Sequence, residues 1–149
     1  MPYTIKDVSK LAGLPASTIR YYDKQGLLPD LRRDSNNIRI FTEHDLTNLR
    51  LIDCLKKSGL SIKDIKNFID LAGQGDTAIN DRLEIFIRRR ELLKRELADL
   101  QRILSVIEYK CWYYERASEA GTEKGLKDMK LSDIPEEFRE ARKHLHLIS

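Results

Sequence analysis

Apolar positions in the first 71 residues come in short bursts, each opened by a hydroxyl residue with an aspartate three places later. Ile5, Val8 and Leu11 follow "TIKD" (Thr4 to Asp7), Leu46, Leu49 and Ile52 follow "TEHD" (Thr42 to Asp45), and Ile65, Phe68 and Ile69 follow "SIKD" (Ser61 to Asp64). Spacings of three and four place each set on one helix face. Each tetrapeptide reads as a capping box: the hydroxyl accepts from the N3 amide while the aspartate accepts from the cap's own N–H. Between the first two boxes, Gly13-Leu14-Pro15 makes a turn, with Pro15 suited to the first position of a second helix. That helix is expected to run to about Gln25 and stop at Gly26. Leu31 to Phe41 alternates around the turn-prone "DSNN", which predicts a small hairpin.

From Ile79 onward the pattern changes to a heptad. Ile79, Leu83, Phe86, Arg90, Leu93, Leu97, Leu100, Leu104, Ile107, Cys111 and Tyr114 are spaced alternately four and three. Gly73 and Gly75 break the chain before it, and Asp76 or Thr77 is placed to cap its start. To Tyr114 this single helix spans about 50 Å. A domain this small cannot bury so long a seam, so the spacing predicts a coiled-coil homodimer. Leu83, Phe86, Leu93, Leu97, Leu100, Leu104 and Ile107 are its dimerisation residues, and Arg90 bears on register. The alternative, a helix folded back on the first part, leaves much of the seam exposed. After Ser118 come small and charged residues around Gly121 and Gly125, then "DIPEEFREARKHLHL", read as a short helix started by Asp133 and Pro135. The expected division is therefore 1–71, 76–117 and 118–149, in a mainly α fold.

Charge adds a partner to this picture. Residues 1 to 42 hold seven Lys/Arg against four Asp/Glu, while residues 43 to 149 hold 20 of each, so the net +3 sits at one end. A basic end on an otherwise neutral chain suggests a polyanion. Helix, glycine-containing turn, helix within 25 residues is the helix-turn-helix pattern of DNA readers. Ser17, Thr18 and Arg20 in "STIRYYDK" then lie where a recognition helix meets base edges, with Tyr21 and Tyr22 offering hydroxyls and flat faces to the sugar–phosphate backbone. The hairpin, with Arg32, Arg33, Asn37 and Arg39, has the charge of a wing lying along that backbone. The competing reading has Ile19 and one tyrosine packing a small core while the arginines are solvated.

Other chemistry is sparse. No run of 18 apolar residues and no basic-then-apolar leader is found, which predicts a cytoplasmic protein with no membrane partner. Two cysteines, Cys54 and Cys111, give neither a disulfide framework nor a Cys-x-x-Cys metal pair, and His44, His144 and His146 have no ligand spacing. No glycine-rich phosphate loop, Ser/His/Asp set or carboxylate pair points to an enzyme, and no cofactor or metal is expected. On a helical projection from Thr42, Cys54 falls near Thr47, Arg50, Lys57 and Ser58 rather than among Leu49, Ile52 and Leu55. Arg50 and Lys57 can approach the sulfur and favour its thiolate. Spacing alone leaves Cys54 as either a buried apolar residue or a reactive thiol.

At this point a family resemblance emerges. "YTIKDVSKLAGLPASTIRYYDKQGLL" followed by "RRDSNNIRIFTEHDLTNLRLIDCLKKSGLSIKDI" resembles the DNA-binding domain of the MerR family of bacterial regulators, over residues 2 to 71. The core is T-x-R-Y-Y-D, Thr18 to Asp23. The chain departs from the family's pattern at Asn37-Ile38-Arg39, where Gly-Tyr-Arg is frequent, at Pro15 in place of a capping serine, and at Ser17 in place of a larger basic residue. The resemblance implies a winged helix-turn-helix domain followed by a long antiparallel coiled-coil dimerisation helix and a short tail. It also implies binding to a palindromic operator in double-stranded promoter DNA, with distortion of that DNA for RNA polymerase acting at the same promoter.

Within the family, a cysteine followed by "KKSGLSIKDIK", together with the later "KCWYYERASEAGTE", resembles the thiol-based subgroup that answers aldehydes, other electrophiles or nitrosating stress. On that resemblance Cys54, assisted by Arg50 and Lys57, is the effector-sensing residue. Cys111, on the seam, is read as packing. Two alternatives stand beside it: a noncovalent small-molecule effector near Trp112, Tyr113 and Tyr114, whose bland counterpart is aromatic filling of the dimer interface, and an architectural DNA-binding dimer without regulated output.

Overall fold

A computed structural model describes residues 1–146; the last three positions assigned to the tail, 147–149, lie outside the described residues. Six helices and a two-stranded hairpin are present: α1 (Ile5–Ala12), α2 (Ala16–Lys24), β1 (Arg32–Arg33), β2 (Arg39–Ile40), α3 (Glu43–Lys57), α4 (Ile62–Gly73), α5 (Ile79–Ala120) and α6 (Glu136–His146). The described residues form two compact units, one over residues 1–90 and one that begins at Glu91.

Local chemistry sets the starts of the helices. Thr4 accepts from the Asp7 amide at 3.2 Å while Asp7 accepts from the Thr4 amide at 2.8 Å, and Thr42 and Asp45 repeat the pair at the same distances. These bonds from Thr4 hold the Asp7 carboxyl below its ordinary 3.8. Its contribution to α1 is therefore intact above that pH and is lost as pH falls further. The third box forms by half: Ser61 accepts from the Asp64 amide at 3.1 Å, but the Asp64 carboxylate takes the Ser61 hydroxyl instead of its amide. Pro15 precedes the first turn of α2 and is not inside it.

In the first unit the inward faces of α1 to α4 meet around Val8, Ile19, Leu27, Phe41, Leu49 and Ile65, all fully buried. The hairpin pairs Arg32 with Ile40 and Arg33 with Arg39. The chain start fastens it, since Tyr3 and Phe41 exchange backbone bonds of 2.7 and 3.0 Å. Asn37 turns the hairpin at φ 62°, a left-handed conformation that asparagine tolerates.

Tyr22 belongs to this core, at 5% exposure, and burial raises its hydroxyl pKa. This corrects the expectation that both tyrosines present flat faces to the sugar–phosphate backbone: adjacent helical residues point about 100° apart, and the turn that exposes Tyr21 buries Tyr22. Tyr22→Ala is therefore expected to cost about 3–5 kcal/mol in urea denaturation, whereas Tyr22→Phe stays within about 1 kcal/mol.

In the second unit the far part of α5 is covered by the segment that follows it. Tyr109 packs with Ile134 and Ala141, joined by Val106, Trp112, Met129, Phe138 and Leu145. Tyr113 and Ala117 pack with Leu126. Leu126, Met129, Ile134, Phe138, Ala141 and Leu145 thus belong to small apolar clusters on α5.

α5 has 42 residues and so extends about 63 Å. A 3-10 turn, Gly75–Ala78, leads directly into it. Asp76 and Thr77 lie inside that turn, and the Thr77 hydroxyl donates to the Gln74 carbonyl. The heptad seam faces outward: Leu83, Leu97, Leu100, Leu104 and Ile107 are each more than half exposed, and Phe86 and Leu93 are only partly covered.

Candidate nucleic-acid interface and sensor cysteine

α2 divides cleanly between its two faces. Ile19 and Tyr22 are buried, while Ser17, Arg20, Tyr21 and Lys24 are exposed and Thr18 is half-buried. The exposed set follows an i, i+3, i+4, i+7 spacing, so it forms one stripe along the helix. That stripe carries two cations, two hydroxyl groups and one aromatic face, the groups that contact base edges and phosphates.

The wing is locked to this helix by a residue to which the sequence reading gave no role. Asp23 Oδ2 accepts from Arg39 Nε at 2.7 Å and from Arg33 Nη2 at 3.0 Å. Arg33 also donates from Nη1 to the Asn37 carbonyl at 3.2 Å. A single carboxylate thus orients Arg33 and Arg39, two of the three wing arginines, and Arg33 acts as a clamp across the hairpin. Such partly exposed ion pairs contribute little to stability; their effect is positional. An aspartate closing T-x-R-Y-Y-D, with unmatched arginines in the following hairpin, was the available signal. Ile5, Arg20, Asn37, Ile38 and Arg39 together line a shallow hollow of about 240 Å³, so the recognition helix and wing tip share one concave surface.

Cys54 is exposed on α3. The two cations expected to assist it lie on the same helix but are engaged elsewhere. Arg50 Nη2 donates to the Leu11 carbonyl at the end of α1, 3.2 Å away, and Lys57 Nζ pairs with Asp53 at 2.8 Å. The hydrogen bond and charge of Asp53 raise the Lys57 pKa, with smaller contributions from Cys54 and Tyr22. Lys57 therefore stays cationic next to the sulfur. Cys111 is also exposed.

The distal aromatics pack against one another and against α6. Tyr109 and Trp112 stack at 6.2 Å, and Phe138 of α6 lies 5.8 Å from Trp112. Tyr113 is buried and Tyr114 is exposed. Trp112 and Tyr113 pack with Phe138, Leu126 and Met129 of the same chain. Among the described residues no group of three or more His, Cys, Asp or Glu is placed to hold a metal ion, and no helix is long and apolar enough to cross a membrane.

Comparison with known proteins supports this geometry. The family described as MerR HTH family regulatory protein matches residues 3–71, and that described as MerR, DNA binding matches residues 46–108. An uncharacterized HTH-type transcriptional regulator of Haemophilus influenzae is 40% identical over 136 residues, covering 91% of this chain and 98% of the relative. The HTH-type transcriptional regulator AdhR of Bacillus subtilis is 35% identical over 89 residues, 60% of this chain and 64% of that protein. Among solved structures, HiNmlR, a MerR family regulator lacking the sensor domain and bound to promoter DNA, superposes with a TM-score of 0.73 at 41% identity. The match spans 83% of this chain and 98% of that one.

Proposed function

The chain belongs to the MerR family of DNA-binding transcriptional regulators, and from that premise we propose that it works as a homodimer whose Cys54 captures aldehydes or related electrophiles and so changes the shape of bound promoter DNA. The observation that carries this reading is the exposure of Cys54 on α3, within the DNA-binding body itself. The relative bound to promoter DNA is described as lacking a sensor domain, and nearly its whole length is matched here. An effector site in the shared part of the chain is consistent with that. The filled aromatic cluster speaks against a noncovalent ligand beside Trp112 and Tyr113.

The two winged heads bind a palindromic operator. Ser17, Thr18, Arg20 and Tyr21 read or grip one half-site, and Arg33, Asn37 and Arg39 lie along the backbone. RNA polymerase acts at the same promoter. The Cys54 thiolate adds to the carbonyl carbon of the aldehyde; the carbonyl π electrons move to oxygen, which takes a proton from water, leaving a hemithioacetal. The added group presses on the last turn of α3, and DNA shape responds. A purely architectural dimer would bind without such a response.

Intact-protein mass spectrometry and peptide mapping after formaldehyde treatment test the assignment. The adduct is expected on the peptide containing Cys54, absent from Cys54→Ser and retained in Cys111→Ser. Modification confined to Cys111 would reject it.

A further inference from the structure

The first turns of α5 are fastened to the DNA-binding body at three places. Arg82 donates from Nη2 to the Gly75 carbonyl at 2.8 Å. Phe86 meets Phe68 of α4 edge-on, with ring centroids 5.1 Å apart. Arg89 reaches the turn between α3 and α4, where its guanidinium sits on Gly59. A Cβ at Gly59 would stand 2.6 Å from Arg89 Nη2, 3.2 Å from Cζ and 3.6 Å from Nη1. Gly59 also has φ +100°, a conformation that side-chain-bearing residues avoid. The backbone conformation therefore favours glycine there, and the absence of a Cβ lets the guanidinium approach closely.

This seat lies at the end of the helix that carries Cys54. The Cys54 carbonyl accepts from the Ser58 amide, the Leu55 carbonyl from Leu60, and the Lys56 carbonyl from Gly59. These carbonyls form the negative end of α3, where a guanidinium is electrostatically favoured. Arg89 meets the turn that directly follows α3. The second basic seat in the unit is of the same kind: Lys66 of α4 lies over Gly26 at the end of α2, its Cε 2.9 Å from where a Cβ would be.

We propose that Arg89 is a positioning residue that couples the end of α3 to α5 through its seat on Gly59. The proposal rests on the reading of Cys54 as the sensor. Cys54 lies one turn before Ser58, the C-cap of α3. A substituent that displaces this last turn shifts Gly59, and the guanidinium resting on it carries the displacement to α5. The angle at which α5 leaves the DNA-binding body changes with it, and that angle governs how two recognition helices are spaced on an operator.

The test uses full-length protein on an operator recovered by binding-site selection, with 2-aminopurine in the spacer to report unstacking and formaldehyde as the electrophile. Arg89→Ala is expected to bind the operator within about threefold of the parent while its formaldehyde-induced fluorescence change falls about fivefold or more. Arg89→Lys, which keeps the charge at the end of α3, is expected to recover about half of the response. A purely structural role would lower affinity and response together. That result overturns the proposal, as does a parental response in Arg89→Ala. Cys54→Ser run alongside separates the two readings. A full response in Cys54→Ser rejects the sensor assignment and the coupling with it, whereas a silent Cys54→Ser beside a fully responsive Arg89→Ala rejects the coupling alone.

Discussion

Replacing Leu97 and Leu100 with aspartate is expected to break the proposed dimer and to weaken binding to a palindromic operator about 10²–10⁴-fold. Two half-site contacts linked in one dimer act at high effective concentration, and unlinking them forfeits that gain without touching any DNA-contacting residue. Both leucines are more than half exposed in the single chain, as are Leu104 and Ile107. A run of large apolar residues at heptad spacing is the signature of a seam that needs a second helix. In the antiparallel register centred between Leu97 and Leu100, a positions meet d positions, with Leu97 against Leu100 of the other copy, Leu93 against Leu104 and Phe86 against Cys111. This register engages the seam from Leu83 to Tyr114. Buried aspartates at its centre leave unpaired charges in both copies. Sedimentation equilibrium and fluorescence anisotropy on labelled operator check the two halves of the expectation. The native Cys111 reports orientation: the two thiols stand about 38 Å apart in this antiparallel register, so an oxidant yields no disulfide-linked dimer, whereas a parallel pair would bring them together.

The second large effect is expected from Cys54→Ser. Operator affinity should stay within about twofold of the parent, because the thiol makes no described contact with α2 or the wing, while promoter response to formaldehyde is lost. Serine preserves the size of the side chain and removes the nucleophile, since a hydroxyl is not appreciably ionised near neutral pH. Cys111→Ser is the control and should respond as the parent does. A promoter reporter titrated with formaldehyde checks the response, and anisotropy on the operator checks the affinity.

Legibility in the sequence followed the range of the interactions. The capping boxes at Thr4 and Thr42 were readable because their partners are three residues apart, and the angular position of Cys54 was readable because helix geometry is periodic. The choice between Tyr21 and Tyr22 was not, because it depends on which side of α2 the rest of the body occupies. Asp23 was visible but silent: its partners Arg33 and Arg39 lie 10 and 16 residues away, and only the folded hairpin brings them together. The bond from Arg50 to Leu11 spans 39 residues and was equally hidden. The distal aromatics looked available for a ligand because the tail helix was readable while its fold-back onto Tyr109 and Trp112 was not. The Arg89 guanidinium over Gly59 is likewise a tertiary fact, 30 residues apart in the chain.

The central claim is that modification of Cys54 changes the shape of promoter DNA and leaves the protein bound to it. Permanganate footprinting of the operator complex before and after formaldehyde tests it most directly, with parent and Cys54→Ser compared on the same duplex. The account predicts that new thymine reactivity appears in the spacer for the parent alone, within unchanged footprint boundaries. Loss of the footprint on treatment, or the same new reactivity with Cys54→Ser, would contradict it.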